Sequence, residues 1–471
     1  MALREITHEA EIDLFRQELV NLVDLRHALC VLAGKIDWKA LETKFGSLYA
    51  TGVGRPGHPI RLMVGLQLLK FIRDVSDEEV VAAWPENPYW QYFCGEQYFR
   101  HDLPIDPSLM TLFRSRIGAE GCEFILRLTV QTGLATKTIA AASLAVVNVD
   151  TTVQDKAVAF PTDARLLNKA RIAVVKLATQ CGITLRQPYT FKGQEAFHQS
   201  ARYAHARQFN RAAKQTKQLR TMLGRVLRDT QRKAARMELT AKARTRLDKL
   251  QAIANRIHSQ PRVRTENDPP KIYSVHAPEV ECIAKGKVHK KYEFGVKVGL
   301  VTTNKESFVL AAKSLPGNPY DGHTLQACLD QAQRTSGVAA KEVFVDKGYK
   351  GHSCNTDTCK VFVSGAKRGI TPSIHKRLKR RNAIEPVIGH MKSDGRLARN
   401  FLKGSHGDAI NALLCAAAHN LRKILNKLRL FWAAWMHAWV HTLYRFGHSD
   451  ATSSLLRVLN PQVKGRQFAL N

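Results

Sequence analysis

The chain has 471 residues, 44% of them hydrophobic, with 72 Lys and Arg against 40 Asp and Glu, a formal net charge of +32. Such a chain can bury a large core and divide into two or three domains. Its charge excludes a partnerless globule, because a body this basic repels itself unless a polyanion neutralises it; nucleic acid is the leading partner, with ribosome-like basicity as the bland alternative.

The charge is uneven. Residues 1–140 hold 15 basic against 18 acidic side chains, so the whole excess belongs to residues 141–471. The nine cysteines are odd in number and widely scattered, which fits reduced thiols better than a disulfide framework. Cys354 and Cys359 near His352 raise the question of zinc, but no second Cys/His pair occurs at a usual metal spacing. The stretch MALREITHEAEIDLF lacks a signal-peptide core. The apolar run Leu430 to Tyr444 is too short for a membrane span and holds two histidines, so a buried or interface helix is expected and no membrane. A cytoplasmic, nucleoid-associated protein is the corresponding expectation.

Residues 1–140 read as an all-helical domain. HPIRLMVGLQLLKFIRDV has apolar residues at helical spacing, and SDEEVVAAW opens with Ser76 and Glu79 in capping-box register. PENPYWQYFCG reads as a turn region. DPSLMTLFRSRIG predicts a short helix with Asp106 or Ser108 as cap and Gly118 as stop, carrying Arg114 and Arg116. Helix, turn and short basic helix together suggest a helix-turn-helix DNA reader with those two arginines at the bases; the alternative is a plain helical bundle.

From Leu144 the texture changes. LAVVNVDTTVQ predicts a buried strand whose apolar run ends in Asp150. A basic insertion comes next, at about 160–268. Within it, residues 201–260 hold 16 Lys and Arg against 3 Asp and Glu, and Leu219, Met222, Val226, Leu239, Ala243, Leu247, Leu250 and Ile257 recur at helical spacing. That predicts a basic helical hairpin closed by a turn at 265–271, with Arg225, Arg228, Arg232 and Lys233 on its cationic face. YEFGVKVGLVTT and SFVLAAKSL predict a β-hairpin, DGHTLQACLDQAQRTSG a helix, EVFVDKGY and KVFVSG two strands, and TPSIHKRLKRRNAIEPVIGHMKSDG and DAINALLCAAAHNLRKILNKLRL helices. The expected fold is therefore α/β, a mixed-sheet catalytic domain over 141–428, with a helical tail at 429–471.

Two acids stand at predicted strand tips, Asp150 and Asp346 in VFVDKGYKGH. If the strands are neighbours, the carboxylates repel unless a cation sits between them, and hard oxygen ligands suit Mg²⁺ or Mn²⁺. Glu385 is the candidate third ligand. Ile384, Val387, Ile388 and Met391 would form the helix face against the sheet, with Gly389 allowing close approach and Pro386 starting or kinking the helix. Arg381 and Lys392 would share a side with Glu385 and suit substrate phosphate. Each acid alone reads as a turn or a solvated helix position; together, in this order and in a basic chain, they point to two-metal phosphoryl transfer.

NVDTTVQ, VFVDKGYKG and RRNAIEPVIGHMK, with its R-x3-E-x6-K spacing at Arg381, Glu385 and Lys392, resemble the blocks of DDE-type insertion-sequence transposases, specifically the group named for insertion sequence five. GRPGHPIRLMVGLQLLKFIRDVSDEEVVAAW is similar to the N-terminal domain of that group. The resemblance runs from about Thr43 to Leu428. It implies an RNase H-like catalytic fold, Mg²⁺ dependence, and cleavage of transposon ends followed by strand transfer. It also implies Asp150, Asp346 and Glu385 as catalytic metal ligands, and Arg381 and Lys392 as contacts to DNA near the cleavage point. Related sequences often place Tyr three residues before the Arg, where this chain has Leu378. Double-stranded DNA is the expected partner. A homodimer is expected because two ends must be brought together. A nuclease or resolvase without strand transfer, and a non-catalytic DNA-binding protein, are the competing readings.

Overall fold

The computed structural model describes residues 17–49, 57–261, 268–284, 291–354, 359–365 and 370–446, with side chains described as far as residue 430. Residues 265–267 of the expected turn, and the tail beyond 446, lie outside the described residues.

Helical periodicity is realised in the N-terminal part as α1 (Leu19–Leu22), α2 (Ala28–Ala33), α3 (Trp38–Gly46), α4 (Ile60–Arg73), α5 (Asp77–Ala83), α6 (Pro88–Cys94) and α7 (Ser108–Ala135). The capping box forms at α5: Glu79 N donates to Ser76 Oγ at 3.1 Å, and Ser76 N donates to Glu79 Oε2 at 2.6 Å. The region expected as a turn is instead α6. Asn87 accepts a capping bond from Trp90 N, Pro88 occupies the first turn where its missing N–H costs nothing, and Gly95 stops the helix at φ 93°. Burial of Trp90 and Phe93 then favours helix over loop. The expected stop at Gly118 is a break inside α7, where φ is 63°, after which the helix resumes.

One sheet comes next in the chain. β1 (Val146–Asp155) is followed by α8 (Asp163–Gln180), α9 (Thr190–His205), α10 (Phe209–Ala234) and α11 (Ala241–Ser259), then by β2 (Glu281–Ala284), β3 (Tyr292–Thr303) and β4 (Val309–Leu315). Next come α12 (Asp321–Ser336), β5 (Glu342–Val345) and β6 (Lys360–Val363). The chain ends in α13 (Pro372–Arg380), a 3₁₀ turn at Arg381–Ala383, α14 (Ile384–Ser393) and α15 (Gly404–Phe446). The strand order is β2-β3-β1-β5-β6, with β4 also paired to β3. β3 runs antiparallel to β1, β2 and β4, whereas β1, β5 and β6 are parallel. The fold is mixed α/β, as expected.

One hydrophobic core, with Ala28 and Leu425 as its outermost members in the chain, joins the N-terminal helices, the sheet, α12, α14 and α15. The N-terminal helices therefore share their core with the sheet, and α15 runs unbroken across the expected boundary at 428. The helices α8–α11 have cores of their own, built around Leu167, Leu219, Leu223, Val226 and Ile257 and, separately, Leu177, Ile183 and Leu247. The expected hairpin is α10 and α11. Two further helices, α8 and α9, complete the unit.

Candidate active site

β1 reaches beyond Asp150. Its antiparallel partner β3 pairs with it from Val147 opposite Thr303 to Asp155 opposite Gly295, so ladder bonds continue past the acid. Its parallel partner β5 pairs only as far as Asn148 opposite Phe344. The expectation that Asp150 ends its strand is thus corrected: it lies within β1 but just past the last rung shared with β5. Asp346 leaves the end of β5 on the same side and caps a 3₁₀ turn, accepting from Gly348 N at 2.9 Å. A Cβ on Gly348 would sit 3.1 Å from Asp346 Oδ1, which favours glycine two residues after the acid.

The third acid arrives on α14. Ile384, Val387 and Met391 are buried and hold the helix against the core, as its spacing predicts. Pro386 falls in the first turn, where no intrahelical N–H is required. Gly389 does not mediate a close approach: a Cβ there would meet nothing within 4 Å, because the residue faces outward.

The three acids are brought together around Arg381. Its Nη2 donates to Asp150 Oδ2 at 2.6 Å and lies 3.8 Å from Asp346 Oδ2, and its Nη1 lies 3.9 Å from Glu385 Oε1. The side chain of Arg381 is 9% exposed, that of Glu385 68%. Arg381, expected to contact DNA near the cleavage point, has its guanidinium turned inward and engaged by the carboxylates. Thr151 N donates to Asp150 Oδ1 at 2.8 Å. Burial pushes the Asp150 carboxyl up to about 6; Arg381 works against that rise, and the Asp346 and Asp321 carboxylates add to it.

Among the described residues no three His, Cys, Asp or Glu side chains already converge closely enough to hold an ion. The donor set nonetheless fits one. Asp150, Asp346 and Glu385 offer hard oxygens, and the group standing between them is itself a cation.

Two family comparisons bear on this arrangement. Residues 17–116 match the family described as Transposase domain (DUF772), and residues 263–421 match the Transposase DDE domain. The chain is also 52% identical over 197 residues to a Rhizobium meliloti protein described as uncharacterized protein ORF8 in nfe locus, covering 95% of that protein and 42% of this chain. The chain belongs to the DDE-type transposases. No solved structure matches it. The matched DDE span contains Asp346 and Glu385 of the transposase but not Asp150, which joins them only through the sheet.

The remaining expected contacts of the transposase fall unevenly. Arg114, expected at the bases of DNA, is 3% exposed and forks onto Asp77 through bonds of 2.8 and 2.6 Å, with Gln67 and Thr111 completing its partners. Arg116 is exposed, stacked over Tyr49 at 4.5 Å. With a helix where the turn was expected and one arginine buried, the region departs from the simple helix-turn-helix reading. Lys392 is turned toward Glu293, 3.6 Å away. In the insertion, Arg225, Arg228 and Arg232 are exposed and line a cleft of about 730 Å³ with Arg186 and Lys192. Lys233 instead folds back onto the Thr184 carbonyl at 2.5 Å and Asp229 at 3.4 Å.

Two residues near the acids escaped sequence reading. Asp321, the first residue of α12, accepts from Thr151 Oγ1 and Lys297 Nζ, each at 3.0 Å. Tyr349 is fully buried, and its hydroxyl has no hydrogen-bond partner among the described residues. Burial pushes its phenol upward, with nearby acids adding to the shift. An acid at a helix start is a common capping pattern, so Asp321 gave no distinct signal. Among the described residues no helix is long and apolar enough to cross a membrane.

Proposed function

We propose that the chain is the transposase of an insertion sequence in the group named for insertion sequence five, that its sheet is RNase H-like, and that it binds the ends of its element, cuts them and joins them to target DNA. The observation carrying this reading is the gathering of Asp150, Asp346 and Glu385, distant in the chain, around the single guanidinium of Arg381. The sheet fixes the first two acids and α14 supplies the third. They would hold Mg²⁺ or Mn²⁺. When bound, such ions activate the attacking hydroxyl and stabilise the leaving oxygen of a phosphodiester. Arg381 keeps positive charge beside that point, Lys392 lies about two turns further along α14 next to Glu293, and the exposed arginines of α10 add charge for DNA further out. A dimer acting on two ends, in the cytoplasm and at the nucleoid, is the corresponding assembly.

The test is a cleavage assay with the full chain, duplex DNA carrying the flanks of its own gene, and Mg²⁺ or EDTA. Cleavage should require Mg²⁺, and Asp150→Ala, Asp346→Ala and Glu385→Ala should each lower it at least about a hundredfold while still binding the ends. A variant that cleaves normally removes that acid from the site. Cleavage without joined products would favour a nuclease.

A further inference from the structure

We propose that Phe401 is a stacking platform for a nucleobase of the DNA on which the protein acts, in a cleft between the N-terminal helices and the segment joining α14 to α15. The inference extends the DNA-acting reading above to a site remote from the three acids.

Phe401 is 55% exposed. Its neighbours in sequence hold it firmly outward. Asn400 is fully buried, donating through N to Asp155 O at 2.8 Å and through Nδ2 to Asp408 Oδ1 at 2.6 Å, and its carbonyl accepts from Ala157 N at 2.8 Å. Leu402 N in turn donates to Asn400 Oδ1 at 2.9 Å. An anchored backbone therefore presents a large apolar ring to water, a placement that burial energetics oppose unless something covers the ring.

The surroundings identify the covering group. The guanidinium carbons of Arg396 and Arg399 lie 5.6 and 5.3 Å from the ring centroid, within cation–π range. Arg396 has a carboxylate partner, with its Nη1 3.7 Å from Asp74 Oδ1; Arg399 is exposed, and no carboxylate pairs with it among the described residues. Phe401 also borders a cleft of about 610 Å³ whose wall holds the cations Lys70, Arg114, Arg396 and Lys403 against the acids Asp77 and Glu78. An aromatic face with cations beside it suits a flat ring carrying an anion, as an unpaired nucleotide is. An uncharged peptide or an apolar lipid chain would use the apolar face but leave Arg399 unmatched. The place also fits a substrate reaching the acids. Asn400 is tied to Asp155, five residues along β1 from Asp150, which is about 17 Å or the length of about five stacked nucleotides.

The experiment compares two duplexes of about 30 base pairs from the gene's own flanks, one fully paired and one with about five unpaired nucleotides, in EDTA. Phe401→Leu should weaken binding of the gapped duplex about tenfold and leave the paired duplex unchanged, and Phe401→Trp should restore it. With 5-iodouracil in the unpaired stretch, irradiation should attach the oligonucleotide to the peptide containing Phe401. Equal loss on both duplexes would mean that the ring only orders Arg396 and Arg399, and would overturn the proposal. An unchanged affinity, or attachment elsewhere, would overturn it too. Wild-type protein that binds neither duplex would instead remove the DNA reading on which the proposal rests.

Discussion

Two buried arginines in this molecule keep opposite company. Arg114 shares one acid, Asp77, with a second cation, Lys70, at 2.8 Å. Arg381 is one cation among three acids. The first group carries excess positive charge, lines the cleft that Phe401 borders, and joins α4, α5 and α7. The second carries excess negative charge and opens to water through Glu385. A buried pair whose acid is outnumbered by cations has no use for another cation; a cluster of acids sharing one guanidinium does. The contrast separates structural charge from charge arranged for chemistry, although both arginines looked like DNA contacts in the sequence.

Removing the acid should be most damaging where cations outnumber it. Asp77→Asn leaves Arg114 and Lys70 buried without their counterion and should cost about 3–5 kcal/mol in denaturant unfolding. Asp150→Asn should cost far less, because it relieves repulsion among acids. Equal losses would erase the distinction between the clusters.

The pH dependence has opposite signs at the two sites. Burial tends to raise the Asp77 carboxyl, but its bonds to Arg114 and Lys70 outweigh burial and hold it below the ordinary value. It therefore adds stability above its unfolded pKa and loses it as pH falls through the lowered one. Asp150 is pushed up to about 6 from 3.8, so its contribution is present below about pH 4 and is lost as pH rises toward 6. In EDTA, wild type should lose about 2–3 kcal/mol relative to Asp150→Asn between pH 4 and 7. Parallel pH curves for the two proteins would contradict this assignment.

The insertion offers a smaller test of charge that faces outward. Replacing Arg225, Arg228 and Arg232 together with Ala should reduce the slope of log affinity for DNA against log salt by about 2–3, since each phosphate contact contributes about 0.9. An unchanged slope would assign that surface to protein contacts. Smallest of all, Arg381→Gln should raise Mn²⁺ affinity about tenfold in calorimetric titration, because the guanidinium competes for the same carboxylate oxygens. Weaker Mn²⁺ binding in that variant would mean that Arg381 supports the ion.

Much of the fold was legible in the sequence where local rules and tertiary structure agree. Ser76 and Glu79 formed their capping box, the strand pair at 292–315 formed as an antiparallel hairpin, and the helix at 321–336 stopped at Gly337. The three acids were legible as a set because two came after apolar β-branched runs and one flanked an amphipathic helix. What failed depended on partners distant in sequence. Nothing near Arg114 signalled that Asp77 would turn its guanidinium inward, and nothing near Arg381 signalled Asp150. The end of β1 was misjudged because its length is set by β3, which lies beyond the insertion. Helix α6 was missed because Pro and Asn mark turns and helix starts alike.

The notch holding Asp150 and Asp346 exists because β5 is four residues long beside a strand of ten. Side chains alternate across a sheet, so sliding β5 by a single residue would send Asp346 to the opposite face while leaving its composition intact. The rungs from Glu342 opposite Lys360 to Val345 opposite Val363 brace β5 on its outer side. An outermost strand that bears none of the three acids thereby holds one of them at its address, and damage to β6 should misdirect the chemistry without touching it.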